Sequence, residues 1–188
     1  MYLSIIMKIY MMNVCFWKPL IVGVSLCFSA AADCQFGFDS ATLGVGTSFD
    51  DELLVRIGIQ RDLDAQWWES EAGHLSAYLD LSLNQWSLDE DEDLRMVALS
   101  PVFSYQFSSQ FAGGKPLLEA GIGLSYISKS VFSDRDMGGN IQFEDRLTLG
   151  LRYDVGALML TYLHYSNGGI YSKNAGMNSL LLNFRYFW

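Results

Sequence analysis

The residues best suited to chemistry lie together near the C-terminus, in the run His164-Tyr165-Ser166-Asn167-Gly168-Gly169-Ile170, followed by Asn174-Ala175-Gly176. An imidazole and a hydroxyl two residues apart supply a base and a nucleophile for acyl transfer, because serine attacks a carbonyl only when a neighbouring base takes its proton. On an extended strand, residues i and i+2 share one face about 6.5–7 Å apart, so the imidazole can lean toward the hydroxyl. A glycine-rich turn flanked by asparagines can add the N–H donors that a developing oxyanion needs. Taken singly, each of His164, Tyr165 and Ser166 fits the polar rim of a bilayer better than a catalytic role. Their spacing, shared face and following turn together favour catalysis. His74 has no such company and reads as a rim residue. The chain carries no Cys or His cluster at metal spacing, no phosphate-binding loop and no G-x-S-x-G elbow, so neither a metal nor a cofactor is expected.

The elements that must position these residues are strands. Residues 33–188 show no long helical pattern and fall into eight segments of about ten residues in which apolar and polar side chains alternate, separated by turn-rich stretches. In the last, Leu180, Leu182, Phe184, Tyr186 and Trp188 share a face opposite Asn183 and Arg185. The others begin near Ala41, Leu53, Leu75, Val97, Leu118, Leu147 and Ala157. Apolar faces end in aromatics such as Tyr105, Tyr126, Tyr153 and Tyr162, whereas Arg56, Asp80, Glu119, Arg152 and Arg185 take the polar face. Aromatic girdles outside and polar residues inside are the marks of a transmembrane barrel. The fold expected is therefore all-β, an eight-stranded antiparallel transmembrane β-barrel. An even strand count closes without edges, as lipid demands, and eight strands leave an interior filled by side chains. Parity then decides the site: Leu158, Leu160 and Tyr162 face lipid, so His164 and Ser166 do too.

The front of the chain reads as a secretory signal peptide over residues 1–32. Lys8 and Lys18 precede the apolar run Leu20 to Phe28, and Ala30-Ala31-Ala32 offers a small-residue exit, with cleavage after Ala32. The run is short for a spanning helix of about 20 residues. Cys34 then remains as a single cysteine, so no intramolecular disulfide forms. The formal charge of -9 becomes -11 once Lys8 and Lys18 are lost, which argues against nucleic acid as a partner. With both termini periplasmic, Asp89 to Asp93, Lys129 to Phe143 and Asn167 to Gly176 face outside, and Trp67-Trp68 marks the periplasmic interface.

The H-Y-S-N-x-G run from His164 to Gly169, the N-x-G of Asn174 to Gly176 and the aromatic C-terminal strand resemble the PagL family of outer-membrane lipid A 3-O-deacylases. The resemblance is strongest from Phe143 to Trp188, and upstream the strand pattern and length agree. It implies a carboxylic ester hydrolase of the bacterial outer membrane, cleaving an ester-linked acyl chain, at the 3-O position, from the lipid A of lipopolysaccharide. It also implies Ser166 as nucleophile, His164 as general base, Gly169 and Asn174 at the oxyanion hole, and Asn167 as the shaper of the turn. The family's third member is a glutamate two residues beyond the N-x-G glycine, where this chain has Asn178. A pairing that sets His164 opposite Asn178 is consistent across the last hairpin. An amide oxygen can fix the histidine tautomer but adds no negative charge, so weaker catalysis is expected. If Val155-Gly156 forms a two-residue hairpin turn, Asp145 lands opposite Ser166 as an auxiliary acid. Lipopolysaccharide and membrane lipid are the partners implied, and a homodimer is left open. A non-enzymatic eight-stranded barrel serving binding or membrane integrity shares every fold-level feature, and a phospholipase barrel would act on glycerophospholipid instead.

Overall fold

The computed structural model describes residues 37–88 and 92–188, so the signal peptide expected over residues 1–32 and Cys34 lie outside the described residues. Within the unit Phe38–Trp188 the chain is built from strands. They are β1 (Ser40–Ser48), β2 (Leu53–Ser70), β3 (Gly73–Ser87), β4 (Leu94–Phe107), β5 (Lys115–Ile127), β6 (Val131–Phe132), β7 (Arg135–Asp136), β8 (Ile141–Arg152), β9 (Gly156–Ser166) and β10 (Met177–Phe187). Eight of them close an antiparallel barrel in the order β1-β10-β9-β8-β5-β4-β3-β2, and β6 and β7 form a separate two-stranded hairpin. Closure is made by β1 against β10, from Ser40 opposite Phe187 to Ser48 opposite Ser179.

Alternation along each strand produces an inverted distribution of polarity. Leu83, Ile122, Leu149 and Leu182 are exposed on the outside, whereas Arg56, Asp80, Glu119, Glu144 and Arg185 are buried within. A water-soluble sandwich would bury the first set and expose the second; only a hydrocarbon surround makes this arrangement favourable. The interior is layered rather than uniformly polar. Its middle carries Arg56 paired with Asp80 and Glu144, and Arg185 paired with Glu119 and bonded to the Tyr78 hydroxyl. Toward the long loops it turns apolar, with Leu54, Trp86, Leu163, Met177 and Leu181 packed with Phe132 and Met137 from the segment between β5 and β8. Side chains therefore fill the barrel from its middle to the long-loop end.

Three expectations change in detail. The segment beginning at Leu53, expected at about ten residues, runs as β2 to Ser70, with register shifts between Leu63 and Gln66 and between Trp67 and Ser70. Those bulges hide the period of two, and Trp68 takes a positive φ of 54° there. The loop expected from Lys129 to Phe143 is shorter, because β8 already begins at Ile141. The turn between β8 and β9 is Asp154-Val155, not Val155-Gly156: Tyr153 N donates to Gly156 O at 2.7 Å, and Arg152 pairs with Ala157. Gly156 is the first residue of β9 because it lies under the neighbouring strand, where a Cβ would meet Arg185 O at 2.6 Å. The register moves by two, so Asp145 lies opposite His164, and Phe143 rather than Asp145 opposes Ser166. A shift of two preserves parity, and every side chain keeps its face.

Candidate functional site

His164, Ser166 and Asn178 lie at the loop end of β9 and β10, half-buried on the outer face. Asn178 is the direct partner of His164 across the antiparallel pair. Its Oδ1 lies 2.7 Å from His164 Nδ1. An amide oxygen only accepts, so Nδ1 carries the proton and donates it to Asn178, and Nε2 keeps its lone pair. That is the tautomer a general base requires. Ser166 is one strand step further along the same face of β9, about 6.5–7 Å along the chain. Asp145 faces His164 from the other side, on β8. Directly opposed residues hold their Cβ atoms about 4.5–5.5 Å apart, so His164 stands between Asn178 and Asp145 on the sheet, with its hydrogen bond made to Asn178.

Alternate residues of the same strands anchor this face from within. Tyr165, between the imidazole and the hydroxyl, points inward and donates from its phenol to Glu144 Oε2 at 2.6 Å. Glu144 in turn accepts from Arg56 Nη1 at 2.9 Å and from Ser100 Oγ at 2.9 Å. Trp86 packs edge-on against Tyr165, with ring centroids 5.5 Å apart, and donates from Nε1 to Ser179 Oγ at 3.2 Å. Ser179 follows Asn178, so one indole braces both site strands. Tyr165 was read for its place in the motif alone; its inward parity is the signal for this anchoring role.

The turn after Ser166 is organised by Asn167, which is fully buried. Its Nδ2 donates to Lys173 O at 2.6 Å and to Met137 O at 2.9 Å, and its Oδ1 accepts from Gly169 N at 2.9 Å. Gly168 and Gly169 have φ values of 60° and 87°, a left-handed path that side chains disfavour. Asn174 closes the turn by accepting from Asn167 N at 3.0 Å through Oδ1, which leaves its Nδ2 as the end able to donate. The Gly169 N–H is engaged within the turn, and an oxyanion would compete with Asn167 Oδ1 for it. The hairpin β6–β7 steadies the far side: Arg135 donates to Gly176 O at 2.8 Å and pairs with Asp50. His74 lies at the other end of the barrel, lining its mouth with Asp62, Asp64 and Glu69. Among the described residues no group of three His, Cys, Asp or Glu side chains could hold a metal ion.

Tyr162 escaped sequence reasoning, which assigned it to the aromatic girdle. Its hydroxyl donates to Asn178 Oδ1 at 2.7 Å, the atom that also accepts from His164. Its place two residues before His164 on the same face was the available signal.

Comparison with known proteins agrees over most of the chain. The sequence model of the family described as Lipid A 3-O-deacylase (PagL) matches residues 53–187. The chain is similar to the Lipid A deacylase PagL of Pseudomonas aeruginosa, with 32% identity over 89% of this chain and 95% of that protein. It is also similar to the Lipid A deacylase PagL of Bordetella bronchiseptica, with 27% identity over 90% of this chain and 95% of that one. The crystal structure of the outer membrane enzyme PagL superposes with a TM-score of 0.74 at 30% identity, covering 79% of this chain and 99% of that one.

Proposed function

Because the chain belongs to the PagL family of lipid A 3-O-deacylases, an outer-membrane β-barrel family, we propose that it hydrolyses an ester-linked acyl chain of lipid A at the 3-O position, with Ser166 as nucleophile and His164 as base. The observation that carries this reading is the 2.7 Å bond from His164 Nδ1 to Asn178 Oδ1 on the lipid-facing surface, one strand step from Ser166. It leaves Nε2 unprotonated on the face where an acyl chain anchored in a membrane would lie.

The reaction then runs as an acyl transfer. Ser166 Oγ attacks the ester carbonyl while His164 Nε2 takes its proton, forming a tetrahedral intermediate. The Nδ2 end of the Asn174 amide stabilises its oxyanion, and the Gly169 N–H joins it by exchanging Asn167 Oδ1 for the oxyanion. Collapse expels the sugar hydroxyl, which takes the proton back from the imidazolium, and the acyl group stays on Ser166. Water, activated by the same imidazole, releases the fatty acid. Asn178 holds the tautomer, and Asp145 supplies a negative charge beside the ring that Asn178 lacks. The substrate class follows from position: β9 rises from the short Asp154-Val155 turn, so its far end meets the outer leaflet when the termini are periplasmic.

Mass spectrometry of lipid A from cells producing the wild type or Ser166→Ala tests the proposal. The expected result is loss of one acyl chain with the wild type and full acylation with the variant, both barrels being assembled. Identical acylation with both proteins overturns the enzymatic reading and leaves a binding or structural barrel.

A further inference from the structure

We infer that Tyr162 is a positioning residue whose hydroxyl holds the Asn178 amide with its oxygen toward His164, and so keeps His164 in the tautomer that can act as a base. The inference rests on the Ser166–His164 reading above.

A carboxylate beside a catalytic imidazole offers two equivalent acceptors. An amide does not. Its two ends have nearly the same shape, but one accepts and the other donates. If Asn178 Nδ2 faced the ring, Nδ1 would have to accept, the ring proton would move to Nε2, and the base would present a donor to Ser166. Something must choose between the two orientations, and the choice falls where the structure places Tyr162. Its hydroxyl is 2.7 Å from Asn178 Oδ1, and His164 Nδ1 is 2.7 Å from the same atom. With the oxygen toward His164, its two lone pairs take one N–H and one O–H. With the amide reversed, the phenol proton loses that acceptor on a surface facing lipid, where water does not replace it.

The phenol is itself held. Phe49, in the turn between β1 and β2, lies against it with ring centroids 6.1 Å apart and planes inclined by 51°. The backbone N–H of Phe49 donates to Asn178 O at 2.9 Å. One turn therefore fixes the main chain of Asn178 and the ring that orients its side chain. This pair performs a task that a glutamate at the same position would not need.

The test uses the full-length barrel labelled with ¹⁵N-histidine. The chain has two histidines, so His74→Gln assigns the remaining signal to His164. At a pH where the imidazole is neutral, the wild type shows a protonated Nδ1 and a bare Nε2. Tyr162→Phe, checked for assembly by heat-modifiable mobility, moves a measurable share of His164 to the Nε2–H form and lowers kcat by about three- to tenfold, the loss of one neutral hydrogen bond. In an Asn178→Asp background the same substitution leaves the tautomer at Nδ1–H and costs several-fold less. An unchanged tautomer in Tyr162→Phe, or an equal loss of rate in both backgrounds, overturns the inference. Because the tautomer is read without substrate, a Tyr162-dependent tautomer in a barrel that cleaves no lipid A upholds the positioning role and overturns the catalytic reading beneath it.

Discussion

Replacing Asn178 by Asp changes charge with almost no change in shape, which makes it the sharpest probe of what the neutral third residue costs. Oδ1 already lies 2.7 Å from His164 Nδ1, so the carboxylate oxygen occupies the same place. As the Ser166 proton reaches Nε2 the ring becomes a cation, with its charge about 4 Å from the carboxylate. Such a pair attracts by about 4 kcal/mol at an effective dielectric near 20. Both residues are half-buried, and shedding water from the new carboxylate offsets much of this. An opposite charge at this range moves a titration by about one to three units, and the low end, one unit, is about 1.36 kcal/mol or tenfold in rate. The sign has two parts. The carboxylate lowers the barrier by stabilising the cation formed during attack, and it also favours the cation in the resting enzyme, which cannot act as base. Above the acid limb of the rate–pH profile the variant is faster by about tenfold. Well below it, a neutral fraction about tenfold smaller cancels the gain, and the two rates converge. Asp145, opposite His164 on β8 in both proteins, drops out of the ratio. The assay is fatty-acid release from lipopolysaccharide micelles by purified barrels across a pH series. A ratio that stays flat with pH, or a folded variant that is slower throughout, refutes the reasoning.

Two further outcomes test the surroundings of the pair. Asp145→Asn removes the carboxylate that faces His164 from β8, and should lower kcat by about two- to fivefold with little change in KM, the effect of one partly solvated charge pair; a pH–rate series on the purified variant checks it. Asn167→Ala deprives the Lys173 and Met137 carbonyls and the Gly169 N–H of their partner, a loss of about 1–3 kcal/mol per buried group left unsatisfied. It should make residues 167–176 sensitive to limited proteolysis and cut deacylation by more than about tenfold, while the barrel keeps its heat-modifiable mobility.

The part of this architecture legible in the sequence was the part governed by a period of two. Parity alone turned His164 and Ser166 outward and Arg56, Asp80 and Glu119 inward, because a strand has only two faces and lipid accepts only one kind of side chain. Register was less legible, since glycine serves equally in a turn and beneath a neighbouring strand. Gly156 does the second, and the reading of Asp145 moved from Ser166 to His164 with it. The hairpin β6–β7 was invisible because each strand is two residues long, too short for alternation to register. The contact of Tyr162 with Asn178 is diagonal between strands: alternation puts Tyr162 on the face of His164 but does not choose among the partners across the hairpin.

The period of two also explains how a rigid site can stand on a surface that faces lipid. Every outward residue of the site has an inward neighbour that is buried and bonded: Tyr165 lies between His164 and Ser166, and Ser179 follows Asn178. The outward groups cannot turn without rotating the strand, and rotation would break the bonds from Tyr165 to Glu144 and from Trp86 to Ser179. The interior charges are thus part of the fixture that aims the site. Arg56 holds Asp80 and Glu144, Glu144 holds Tyr165, and this chain of contacts crosses the barrel from β2 and β3 to β9. A wider barrel with a water-filled lumen would leave Tyr165 without so fixed a partner. Eight strands are narrow enough for opposite walls to touch through their side chains, and that narrowness is what lets the outer face hold His164, Ser166 and Asn178 in a fixed arrangement.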